Sequence, residues 1–233
     1  GWNGATGTIA LHLAFTATSE LYFTDFEAFP AGPNQPAGRE GWLSTNHTDA
    51  ASGLFPAFSG LRSVWLGLNP TADASVEVWR PIGYNPVAAG TPELQFSVDL
   101  SVIASTNGRR DNFLIFLSNP QGQKLGGITF DNTNLRVNRY DGATYQDVGG
   151  FTNGVRFTLV ATMNFATNRW SATLGGASLF ANQPINALGT AITPGDLGAA
   201  WVITTQGSPG NNHLIFDNYR LAKKHLDKGR AML

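Results

Sequence analysis

Apolar and polar residues alternate one for one along much of this chain. Leu94, Phe96, Val98, Leu100 and Val102 interleave with Gln95, Ser97, Asp99 and Ser101. Phe157, Leu159, Ala161, Met163 and Phe165 interleave with Thr158, Val160, Thr162 and Asn164, and Ile9, Leu11, Leu13 and Phe15 do the same over 8–15. A two-residue period turns one side of a segment to a core and the other to water, which predicts strands. Further strands are predicted at 20–27, 60–67, 74–80, 112–118, 125–131, 134–140, 170–174, 199–205 and 212–222. Turn signals separate them: Asn119-Pro120-Gln121-Gly122, Asp141-Gly142, Gly175-Gly176 and Ser208-Pro209-Gly210. No stretch before residue 222 sustains a helical period. About a dozen short strands with this punctuation predict an all-β chain, folded as a two-sheet antiparallel jelly-roll sandwich.

The segment 28–60 breaks the pattern with Pro30, Gly32, Pro33, Pro36, Gly38 and Gly41. It also carries Trp42, Leu43, Leu54 and Phe55, which a flexible linker would lack, so an ordered crossing loop is expected within one domain over 20–222. Residues 1–19 read as an N-terminal strand set off by a polar break at Thr16–Glu20, free to exchange with a neighbouring copy's sheet edge. Residues 223–233 read as a basic tail, holding Lys223, Lys224 and Lys228; Leu221–Leu233 has the makings of a short basic helix, and equally of an exogenous remnant or the stub before an anchor.

Composition narrows the function classes. Charged residues are 13% of the chain and the net charge is −1, which leaves no electrostatic case for nucleic acid. Cysteine is absent, so disulfides and Cys-ligated metals are excluded. A surface built from Asn, Thr, Ser and Gln suits a secreted or cell-surface location, with a bacterial exterior expected. Gly1–Ser19 lacks the basic start of a signal peptide and the length of a transmembrane run, and reads as mature protein. Asn46-His47-Thr48 is a formal glycosylation sequon.

Three stretches carry a family resemblance: DNFLIFLSNPQGQKLGGITFDN from Asp111, NGVRFTLVATMNFATNRWSATLGGASLF from Asn153, and HLIFDNYRLA from His213. Together they resemble the concanavalin A-like lectin/glucanase superfamily in its laminin-G-like branch. The resemblance implies two curved antiparallel sheets with a concave face that often binds glycans. It also implies a structural calcium, held by Asp217 in the closing strand with Asp25 or Glu27 near the first.

The chemistry expected of that superfamily's enzymes is not legible. Glycoside hydrolysis needs two carboxyls about 5–10 Å apart. The glucanase branch sets them in one strand as Glu-x-Asp-x-x-Glu, a motif missing here, and no Glu follows Glu93. The four His have no zinc spacing, and neither Gly-x-Ser-x-Gly nor a phosphate-binding loop occurs. Asp131, Asn132 and Asn134, and likewise Asn211 and Asn212, read as turn residues rather than ligands.

Aromatic faces stack on sugars, so the candidate ligand residues are Trp79, Tyr140, Tyr145, Trp170 and Trp201. Arg136 and Asn138 join them because they share a strand face with Tyr140 by alternation. The reading is a non-enzymatic extracellular binding or adhesion module that takes a polysaccharide or surface glycan. Two alternatives stand beside it. One is a structural subunit that joins copies of itself by strand addition. The other is a polysaccharide hydrolase or lyase with an unfamiliar site.

Overall fold

A computed structural model describes residues 16–45, 52–58, 60–68, 75–189 and 192–226. The strand predicted over 8–15, the Asn46 sequon and the tail beyond Leu226 lie outside them. The described residues form sixteen strands and no helix, in two antiparallel sheets. The nine-stranded sheet runs β14 (Ala177–Pro184), β13 (Arg169–Leu174), β12 (Phe157–Asn164), β7 (Glu93–Ile103), β16 (His213–Leu226), β5 (Ser63–Leu66), β4 (Ser52–Phe55) and β2 (Gly32–Pro33), with β1 (Thr16–Thr24) also on β16. The seven-stranded sheet runs β11 (Tyr145–Gly150), β10 (Arg136–Tyr140), β9 (Lys124–Asp131), β8 (Asn112–Ser118), β15 (Asp196–Val202), β6 (Val76–Pro81) and β3 (Leu43–Ser44).

The alternation places the core where the sequence predicts it. Leu94, Phe96, Val98, Leu100 and Val102 of β7 are buried against Phe113, Ile115 and Leu117 of β8 and Leu197, Ala199 and Trp201 of β15, all in one cluster. Burying each large side chain stabilises the fold by about 1.5–3 kcal/mol. The irregular stretch 28–60 is ordered where described: Phe29, Trp42 and Leu54 are core residues. Trp42 packs edge-on to Tyr219, with ring centroids 4.9 Å apart, and donates from Nε1 to the Tyr22 hydroxyl at 3.1 Å.

Two local expectations are corrected. Thr16–Glu20 is not a break but the start of β1, paired antiparallel with β16 of the same chain from Thr16 opposite Leu226 to Thr24 opposite Tyr219. The polar residues there sit on a ladder closed by backbone bonds, which needs no apolar alternation. Residues 221–226 are strand rather than helix. Residues 221–223 are held between β7 and β1 and 224–226 pair with β1, so the long-range ladders override any local helical tendency.

Midway along β16 the strand bulges between Asp217 and Arg220, and Asn218 adopts a left-handed φ of 51°. Asp217, only 3% exposed, accepts hydrogen bonds from Ser63 Oγ at 3.1 Å and Asn218 N at 2.7 Å. Burial pushes its carboxyl above the usual range. Its register partner Asp99 behaves oppositely: burial acts upward, but hydrogen bonds from Thr158, Arg156 and Asn218 hold it below the usual range. The signs differ in consequence. A raised folded pKa contributes stability below the unfolded value of about 3.9, lost as pH rises through the folded value. A depressed one contributes stability above about 3.9, lost as pH falls through the folded value. Asp217→Asn should therefore gain melting temperature relative to the parent at pH 7, and the gain should shrink at pH 4; thermal melts at the two pH values measure it.

Candidate functional site

The outer face of the seven-stranded sheet, turned away from the core, carries an unusual row. Register places Tyr145, Tyr140, Gly127, Phe116, Gly198, Trp79 and Leu43 side by side, one from each strand. Six inter-strand steps make the row about 29 Å long. Aromatic rings thus alternate with glycines across the sheet. Tyr145, 62% exposed, stacks on Tyr140 with centroids 4.8 Å apart and planes at 29°. Leu43 ends the row, also exposed.

Beneath this row lies a second hydrophobic cluster, separate from the core: Leu114, Phe116 and Ala200, with Trp79 and Val202 packed against them. Gly198 lets the base of Trp79 lie across β15, since a Cβ there would stand 2.5 Å from Trp79 Cβ and 2.4 Å from the Val78 carbonyl. Gly198→Ala is expected to cost about 1–3 kcal/mol by overpacking, read from chemical denaturation, and to shift the tryptophan fluorescence.

A parallel row runs Asp147, Asn138, Thr129, Leu114, Ala200 and Glu77. Its charges are internally satisfied. Glu77 pairs with Lys124 at 2.5 Å, the Lys124 ammonium passing 5.0 Å from the Phe116 ring centroid. Asp147 takes Arg136 in two parallel bonds of 2.8 and 2.7 Å. The hydrogen-bonding groups left open are neutral. The Asn138 amide and Trp79 Nε1 bond to no described residue, whereas Thr129 Oγ1 has no partner but is closed off from solvent.

Five of the seven residues singled out by sequence, Trp79, Arg136, Asn138, Tyr140 and Tyr145, are brought together on this face. Trp170 and Trp201 are not. Trp170 shares the core side of β13 with Ala172 and Leu174, and its Nε1 donates to the Pro184 carbonyl at 3.0 Å. Trp201 is fully buried and its Nε1 donates to Asp111 Oδ2 at 3.2 Å. Neither presents a ring to solvent. Sequence reading missed Leu114, Phe116, Thr129 and the Glu77–Lys124 pair. The run Phe113–Leu117 held the signal, since an unbroken apolar strand is apolar on both faces.

The three carboxylates expected to hold calcium each accept hydrogen bonds from the chain. Asp25 Oδ1 accepts from Glu27 N at 3.2 Å, Glu27 Oε1 accepts from Leu61 N at 2.6 Å and Arg62 N at 3.0 Å, and Asp217 holds Ser63 and Asn218. Among the described residues no group of three His, Cys, Asp or Glu side chains could hold a metal ion.

No protein-family model and no curated protein sequence matches the chain. Solved structures do resemble it in fold. A sialidase aligns with a TM-score of 0.62 at 11% identity over 89% of this chain, which spans only 18% of that enzyme. A carbohydrate esterase from Shiga toxin-encoding bacteriophage phi24B aligns at 0.60 and 14% identity, covering 89% of this chain and 99% of the other. Lectin UEA-II, solved with galactose, aligns at 0.57 and 12% identity, covering 90% and 99%. At these identities the likeness is one of fold alone: a two-sheet antiparallel β-sandwich.

Proposed function

We propose that the chain is a non-enzymatic glycan-binding module of the cell exterior, whose ligand lies across the outer face of the seven-stranded sheet. The observation that carries this reading is the aromatic–glycine row from Tyr145 to Leu43. Sugars present apolar ring faces edged by hydroxyls, and the row offers the exposed Tyr145 ring and the half-buried Tyr140 and Trp79 rings beside the Asn138 amide, with the buried Phe116 as part of its base. The charges of the face are paired among themselves, which favours a neutral polysaccharide over an acidic one. A related sandwich solved with galactose supports the reading by analogy.

The acids of the second, parallel row argue against hydrolysis along that row. Glu77 and Asp147 lie five strand steps apart in one row, about 24 Å, far beyond the 5–10 Å that glycoside hydrolysis uses. Asp99 and Asp217 are neighbours on the other sheet, but Asp217 is sealed from solvent and Asp99 is held by Arg156, Thr158 and Asn218. An array of neutral and acidic polysaccharides, probed with the purified chain with and without EDTA, tests the reading and the calcium expectation together. Binding to extended neutral glycans is expected; binding to none of them sinks the reading.

Assembly by strand addition is the second reading, favoured by one observation. The edge strands β11 and β14 expose half or more of their residues and sit at neighbouring edges of the two sheets. Light scattering on the eluting peak decides it: a monomer across a range of concentrations removes this reading.

A further inference from the structure

A cleft lies at one end of the sandwich, apart from the aromatic row. The loops 104–111 and 203–212 and the β9–β10 turn enclose an open cleft of about 630 Å³, lined by Asn107, Gly108, Arg109, Arg110, Thr133, Thr204 and Thr205. Two arginines from adjacent positions are uncommon in a chain this poor in charge. Neither makes an ion pair with a described residue: Arg110 donates only a long 3.4 Å bond to the Asn132 carbonyl, and the Arg109 guanidinium bonds to none of them. The remaining lining is hydroxyl and amide.

Hydrogen bonds between the loops hold the cleft in shape. Asn211 Oδ1 accepts from Thr106 N at 2.8 Å and Asn107 N at 3.2 Å, and Asn211 Nδ2 donates to Thr106 Oγ1 at 2.7 Å. Asn107 Oδ1 accepts from Arg109 N at 3.1 Å, while its Nδ2 donates to the Pro209 carbonyl at 3.2 Å. Thr204 Oγ1 donates to the Arg110 carbonyl at 2.7 Å. Two loops nearly a hundred residues apart in sequence are therefore laced together around the arginine backbone. Loops already fixed in place lose little backbone entropy when a ligand arrives.

From this geometry we infer that the cleft binds a sugar bearing an oxyanion, of the uronate class. The Arg109 and Arg110 guanidinium groups, neither of them in an ion pair with a described residue, supply the fork of N–H donors that binds a planar carboxylate through charge-assisted bonds. The Thr133 and Thr205 hydroxyls in the lining match a polyol, and the volume falls in the range of small-molecule sites. Glucuronate is expected to bind saturably where glucose does not, and to weaken as salt rises and screens the arginines.

Saturation-transfer NMR on the full chain with glucuronate, glucose and inorganic sulfate tests this. Arg109→Gln should weaken glucuronate about tenfold, the loss of one charge-assisted pair, with an unchanged melting temperature. Tyr145→Ala should leave glucuronate binding intact, since it belongs to the other face. Glucuronate binding no better than glucose overturns the inference. So does sulfate binding without glucuronate, which would mark an adventitious anion site, or glucuronate binding that neither salt nor Arg109→Gln changes.

Discussion

Replacing Asp111 with alanine is expected to remove about 3–5 kcal/mol of stability, a large share of what a domain of this kind possesses. The carboxylate is fully buried and accepts three N–H donors: Trp201 Nε1 at 3.2 Å, Thr204 N at 3.0 Å and Gly210 N at 2.6 Å. Each buried donor left without a partner costs about 1–3 kcal/mol, and water entering the space recovers part of the sum. The same residue is tied through its backbone, donating from N to Asn212 Oδ1 at 3.1 Å while its carbonyl accepts from Asn212 Nδ2 at 3.0 Å. Asparagine is no rescue. One of its two terminal atoms would be an NH₂ facing N–H donors, so Asp111→Asn should also be destabilising, by less than alanine. Guanidinium denaturation followed by tryptophan fluorescence measures both. The loss should spread to the arginine cleft, because Asp111 anchors the Thr204 end of its rim.

Removing the tryptophan of the aromatic row should have the largest effect on binding. Trp79→Ala is expected to weaken polysaccharide binding by about 2 kcal/mol or more, roughly thirtyfold, the scale at which a central aromatic platform acts as a hot spot. Part of that loss is indirect, since Trp79 also packs on Leu114, Phe116 and Ala200. Tyr145→Ala separates the two contributions. Its ring is mostly exposed and rests on Tyr140 alone among the aromatics, so stability should change by less than about 0.5 kcal/mol while affinity still falls severalfold. Isothermal titration with whichever neutral glycan the array selects gives the affinities, and denaturation gives the stabilities. If Trp79→Ala keeps full affinity, the row is not the binding surface.

The sandwich was legible in the sequence because its central strands are one-sided. β7, β12 and β13 face the core on one side and water on the other, and their alternation states as much. β11 and β14 were not legible. Edge strands with exposed residues, such as Tyr145-Gln146-Asp147, have no core to alternate against. β2, β3 and β4 are too short to show any period and owe their existence to neighbours far along the chain. At the binding face, alternation grouped Arg136, Asn138 and Tyr140 correctly on one side of β10. It could not say that Trp79, some sixty residues earlier, would stand in the same row as Tyr140, because pairing across five strands is set by register. Trp170 and Trp201 were misplaced for a related reason. A tryptophan on an alternating strand marks one of two faces, and only the packed structure tells which is inside.

β1 and β16 meet head to tail, with Thr16 opposite Leu226, so the first and last described residues of the chain emerge side by side at one pole. Tension applied through these two points would act along the hydrogen bonds of a single antiparallel pair and open them one after another, as a zipper opens, rather than shear them all together. The module is thus mechanically soft along the line through its ends. β1 would peel away under load while β16, still clasped by β7 and β5, keeps the body of the sandwich and both binding surfaces in register.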